Sequence, residues 1–207
     1  MRSSLLKWAG VLFANPFIRG NMLKKISETL RKYANGWLVL IFFAGEVFFN
    51  TVILPAQQAK MEAGSDGTGP IDLLLFYTPE KVYSMVESYG EAGRSSYRAF
   101  ELTGDIIYPI VYTLFFSLLI TWLFRRGFRP SSKMQALNVV PLGGWLFDLL
   151  ENLGIVTMLS VFPSTPDVLA WITAIATLIK WLFAAATIVL ILVGLVKAAM
   201  NGFKKQT

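Results

Sequence analysis

The chain contains no cysteine and no histidine. The first absence excludes disulfides, thiolate nucleophiles, zinc ribbons, iron–sulfur ligation and CxxC redox chemistry. The second removes imidazole as a haem or metal ligand, as the base of a Ser-His-Asp triad and as the commonest general base. Charge is scarce too: 15% of residues are charged, whereas 55% are hydrophobic and mean hydropathy is +0.55. Soluble domains carry about 25% charged residues, so this balance places the chain in the membrane class. No cofactor is implied. The formal net charge of +6 does not mark a nucleic-acid binder, because the cations lie beside hydrophobic runs and are not interleaved with exposed aromatics.

A helix needs about 20 mainly apolar residues to cross a hydrocarbon core of about 30 Å. Four segments qualify, near 36–56, 104–124, 138–161 and 168–196. They predict an all-α, four-helix membrane bundle over 36–207, preceded by a basic segment, 1–35. Leu5, Trp8, Ala9, Leu12 and Phe13 recur at helical spacing and predict an interfacial amphipathic helix there, not a signal peptide. Residues 57–103 form the longest connection, with a turn-rich stretch, the short apolar run "IDLLLFY" and an amphipathic helix from Pro79. The run is too short to cross, and is expected to pack on the bundle or lie at the interface as part of an outer cap.

Charge sets the expected orientation. Residues preceding span one, joining spans two and three, and following span four hold 14 cations against one acid, Glu28; residues on the opposite side hold four cations against nine acids. Both termini are therefore expected on the cytoplasmic side, where anionic lipids would meet the basic face. Compactness and short loops point to a bacterial inner (plasma) membrane.

Polar residues recur at mid-depth. At about 1.5 Å per residue, Glu46, Asp148, Glu151 and Lys180 fall within roughly one helical turn of the bilayer midplane. Asp148 shares a face with Glu151 and Asn152, and Glu46 shares one with Asn50. Thr173, Thr177, Lys180, Ala184 and Thr187 form a small-or-polar stripe on span four, expected to turn inward. Glu101, Asp105, Tyr108 and Tyr112 line one face of span two beside Pro109, and read as the wall of a passage from the outer side. Four ionisable groups at this depth oppose insertion by something on the order of 10 kcal/mol.

One account of that cost is structural: Lys180 pairs with one acid and fixes helix register. It leaves two carboxylates over, so Asp148 and Glu151 are expected to share a proton. The chemical account is a site for a lipid-like or small hydrophobic ligand, with Asp148, Glu151 and Glu46 as catalytic acid and base and Asn50, Asp105, Tyr108, Tyr112, Asn152, Lys180 and Arg94 as binding groups. Isomerisation or cyclisation of an isoprenoid would suit it. Alternatives are a proton-coupled transporter or channel subunit, which four spans without an inverted repeat would complete by oligomerising, and a non-catalytic receptor or accessory subunit. An Mg²⁺ or Ca²⁺ cage of Glu46, Asp148 and Glu151 competes with Lys180 at the same depth. Tyr77, Tyr83, Tyr89 and Tyr97 read as interfacial anchors. The four-span layout with mid-depth acids resembles, in architecture alone, the EXPERA group of sterol isomerases, which implies acid–base chemistry on a sterol-like molecule.

Overall fold

The computed structural model describes residues 16–62 and 67–204, so the expected helix around Leu5 to Phe13 lies outside the described residues. The regular structure among these residues is all helical, with no strand among them. The helices are α1 (Pro16–Tyr33), α2 (Gly36–Phe48), α3 (Leu54–Glu62), α4 (Pro79–Ser88), α5 (Gly90–Glu101), α6 (Gly104–Gly127), α7 (Val140–Val161) and α8 (Asp167–Lys204). Four stretches are long and apolar enough to cross a membrane: Gly36–Met61, Gly104–Gly127, Lys133–Val161 and Asp167–Gly202.

The first stretch runs beyond residue 56 because α2 does not stop at Pro55. Proline has no N–H for the carbonyl four residues back, and its ring crowds that carbonyl. The backbone widens into a π-helical turn, Phe49–Ile53, in which the Leu54 N–H reaches the Phe49 carbonyl, and the helix resumes as α3. Asn35 starts α2 by accepting the Leu38 N–H at 2.9 Å. No residue of α2 is buried, so this helix is peripheral and leans on α6, where Phe43 meets Phe115 at 5.6 Å between ring centroids.

Proline solves a different problem in α6. Pro109 is buried inside the helix and frees the carbonyl of Asp105, four residues earlier. The Asn152 side chain on α7 donates to that carbonyl at 3.1 Å. The break in one helix therefore becomes a cross-link to another. Between α7 and α8, close approach depends on Gly154: a Cβ there would lie 2.0 Å from Thr173 Oγ1 on α8.

Residues 67–103 close the end of the bundle where α7 finishes and α8 begins. Val82, Met85 and Val86 of α4 pack in one apolar cluster with Ile155, Met158 and Leu159 of α7 and Ala170 and Ala174 of α8. The four tyrosines expected as interfacial anchors belong to this cluster and are buried. Their hydroxyls act inside it: Tyr83 donates to the Pro166 carbonyl at 2.9 Å and Tyr89 to the Gly69 carbonyl at 2.8 Å. The interfacial reading fails because a membrane-surface tyrosine and a lid tyrosine share the same amphipathic chemistry.

At the opposite end, side chains tie α1 to the bundle. Arg125 at the end of α6 donates to the Ala34 carbonyl at 3.0 Å, and Asn138 donates to the Ser27 carbonyl at 3.3 Å and to Thr121 Oγ1 at 2.9 Å. Orphan carbonyls at a helix end gain partners in this way. Gly154→Val is expected to force α7 and α8 apart and lower the melting temperature by several degrees, whereas Gly69→Ala, where a Cβ meets nothing within 4 Å, leaves it unchanged. Fluorescence-detected unfolding of the detergent-solubilised protein measures both.

Candidate functional site

The site forms where α7 and α8 run side by side. The stripe on α8 faces inward, with Thr173, Thr177 and Thr187 all buried. Lys180 lies about 20 Å along an axis that starts at Asp167. Its ammonium meets Glu151 Oε2 at 2.5 Å and Asp148 Oδ1 at 3.4 Å, and donates to the backbone carbonyl of Asp72 at 3.0 Å. Thr177 donates to the other Glu151 oxygen at 2.8 Å. Both carboxylates are buried, and the lysine side chain is 13% exposed. Tyr112 of α6 faces Asp148, and Asn152 donates to the Asp105 carboxylate as well as to its carbonyl.

The short run "IDLLLFY" reaches this depth. Beyond the Lys180 bond, the Trp181 Nε1–H donates to the Leu74 carbonyl at 2.9 Å. Ile71 is wholly buried while Leu73, Leu75 and Phe76 stay exposed on the bundle's flank, so the segment enters along α8 and returns without crossing. Such non-helical backbone needs internal donors, and the two α8 side chains supply them. The Tyr97 hydroxyl holds the entry point, donating to Asp72 Oδ1 and accepting the Ile71 N–H at 3.0 Å.

The expected set divides in two. Asp148, Glu151, Asn152, Asp105, Tyr112 and Lys180 meet at one centre. Glu46 is not bound to Lys180: on the α2–α6 seam it accepts from Tyr108 and from Asn50, both at 3.1 Å, and Asn50 itself stays exposed. Equal depth groups Glu46 with the others, but it faces a different helix. Aromatic contact connects the two groups, with Tyr108 and Tyr112 edge to face at 5.4 Å. Arg94 stands apart: it donates to the Val86 carbonyl at 3.1 Å and lies 4.5 Å over the Phe162 ring, fastening α5 to α4 and to the end of α7.

Two further acids lie near the centre, Asp72 without a signal in the sequence and Glu101 on the face already read as the wall of a passage. Asp72 hides in the apolar run, and Glu101, the last residue of α5, is 2% exposed with Oε2 lacking any hydrogen-bond partner. Burial pushes the Glu101 carboxyl well above the usual carboxylate range, and the acids Asp72, Asp105, Glu151 and Asp148 push it further. Two carboxylates thus pair with the ammonium, and Asp72, Asp105 and Glu101 add further acid around them. Among the described residues no three of them converge as metal ligands would. Comparison with known protein families, curated proteins and solved structures finds no match, so the architectural likeness to the EXPERA group carries no family assignment.

Two outcomes follow from this geometry. Lys180→Met leaves Asp148 and Glu151 buried without a counter-charge, and is expected to cost about 3–5 kcal/mol; pairing it with Glu151→Gln restores part of that loss in a double-mutant unfolding cycle. For Glu101, the raised folded value means that stability is fully present below its ordinary value of 4.5 and declines as pH rises toward the folded one. Glu101→Gln removes this component, so its unfolding midpoint falls less than the wild type's between mildly acidic and alkaline pH.

Proposed function

We propose that the protein is a multi-pass membrane protein whose buried centre takes up and releases a proton, coupling that event to the position of residues 71–76. The observation that carries this reading is the triple engagement of Lys180 with Glu151, Asp148 and the Asp72 carbonyl. The ammonium holds the segment only while α7 supplies negative charge to keep it there. Protonating Glu151 or Asp148 weakens that hold, and the carbonyls of Asp72 and Leu74 then lose their anchor. Excess acid supports the reading, since Glu151 and Asp148 share one ammonium while the buried Asp105 and Glu101 pair with no cation among the described residues, and crowded like charge in low dielectric favours holding a proton. The Thr177 and Tyr97 hydroxyls donate to Glu151 and Asp72, Tyr112 faces Asp148, and together they offer a path for it. Proton relays in membranes are built from such parts. The charge pattern supports cytoplasmic termini and an outer position for residues 57–103, and the compactness and short loops favour a bacterial plasma membrane.

A second reading rests on Asn50, an exposed amide on a helix otherwise facing lipid, backed by Glu46 and Tyr108. A lipid-like ligand with a hydroxyl or amine would find donor and acceptor there. In a catalytic version Glu46 is the base.

Proteoliposomes containing a pH-sensitive dye test the first reading. With an imposed potential, the full-length protein is expected to acidify the lumen faster than empty vesicles, and Glu151→Gln to reduce that rate by at least about tenfold, whereas Glu46→Gln leaves it within about twofold. Flux equal to that of empty vesicles, or equal loss in both variants, overturns it. Co-purified lipid lost only in Glu46→Gln favours the second.

A further inference from the structure

The end of the bundle remote from the acids carries a second feature. Between α1 and the start of the α6–α7 connection lies a groove of about 670 Å³ lined by Glu28, Arg31, Lys32, Arg125, Pro130 and Gln135. It runs into a neighbouring groove of about 610 Å³, which shares Glu28, Arg31, Pro130 and Gln135 and adds Lys24 with the apolar wall of Leu23, Ala136 and Val139. One half is basic and the other largely apolar. Four cations face one acid across the pair.

The guanidinium groups are held in place before any ligand arrives. Arg125 donates to the Ala34 carbonyl at 3.0 Å and the Arg31 carbonyl at 3.3 Å, and Arg31 donates to the Pro130 carbonyl at 3.3 Å. Each guanidinium has five N–H donors in a fixed fork, so both retain donors for an anion. Placement also matters: Arg126 stacks 3.7 Å over Trp122 one turn earlier, which sets this level as the edge of the apolar span. Basic pockets between spanning helices at that level suit phospholipid head groups.

We propose that this paired groove seats one anionic phospholipid, its phosphate against Arg31, Lys32 and Arg125 and an acyl chain along Leu23 and Val139. A free phosphate would use the basic half alone; the adjoining apolar half selects the lipid. The site is independent of the proton-handling centre, so it stands or falls separately.

The test uses delipidated full-length protein in neutral detergent, titrated in parallel with short-chain phosphatidylglycerol, short-chain phosphatidylcholine and inorganic phosphate. Phosphatidylglycerol is expected to raise the melting temperature saturably, with one lipid retained per chain in native mass spectrometry, and the other two to leave it unchanged. Lys24 and Lys32 are exposed and anchor no backbone carbonyl among the described residues, so K24Q/K32Q keeps the fold and is expected to bind roughly fivefold more weakly per cation removed. K81Q, on the lid, binds as the wild type does. An equal shift with phosphatidylcholine, a full shift with phosphate alone, or unchanged affinity in K24Q/K32Q overturns the proposal.

Discussion

Lys180 is the constraint on which the rest of the bundle depends. An ammonium placed among apolar spans is costly unless opposite charge and good acceptors surround it. Three elements meet that requirement together. Helix α7 provides Glu151 and Asp148, α8 provides the lysine, and the segment entering between the lid helices provides the Asp72 carbonyl. Among the described residues, no other cation pairs with either carboxylate. The lid itself depends on this arrangement, because α4 and α5 pack over a segment whose depth is set by Lys180 and Trp181.

Around that ion pair, neutral donors limit how much charge the site must carry. Asn152 serves both the carbonyl freed by Pro109 and the carboxylate of Asp105, so one side chain offsets a backbone defect and a buried acid together. Thr177 and Tyr97 each bond a carboxylate as well. Hydroxyls accept and donate without a formal charge, which lets the site tolerate a change in proton count better than a fully ionic cluster would. Glu101 lies at the margin of this network with Oε2 unpartnered, as are Asn152 Oδ1 within it and Glu46 Oε2 on the other seam.

Depth is legible in the sequence, and azimuth is not. Rise per residue locates Glu46, Asp148, Glu151 and Lys180 at one level, and i,i+4 spacing shows that the Thr173–Thr187 stripe turns inward, because both follow from helix geometry alone. Which helix neighbours which depends on tertiary packing, so depth groups Glu46 with the Lys180 centre although it faces Tyr108 across a separate seam. Asp72 stays hidden for a related reason. Seven apolar-rich residues cannot span a membrane, and nothing local signals that their carbonyls meet a lysine more than a hundred positions later. The turn-rich stretch before them offers a faint clue, since a segment entering the bilayer must bend on either side.

The peripheral position of α2 bears on how the two polar groups relate. This helix buries none of its residues, continues into a π-helical turn and presents Asn50 of that turn to the surroundings. A helix held by one neighbour moves at lower cost than α7 or α8, which are fixed on several sides. Tyr108 and Tyr112 occupy the same α6 face, one bonded to Glu46 and the other facing Asp148. Any displacement of α2 that drew Glu46 from Tyr108 would leave that hydroxyl free to turn, one helical turn from the tyrosine that contacts the centre. The stacked Phe49 ring, 5.3 Å from Tyr108, resists such a turn. The lipid-facing seam and the charged centre are therefore two ends of one aromatic contact, and the more loosely held end is the one that lipid can reach.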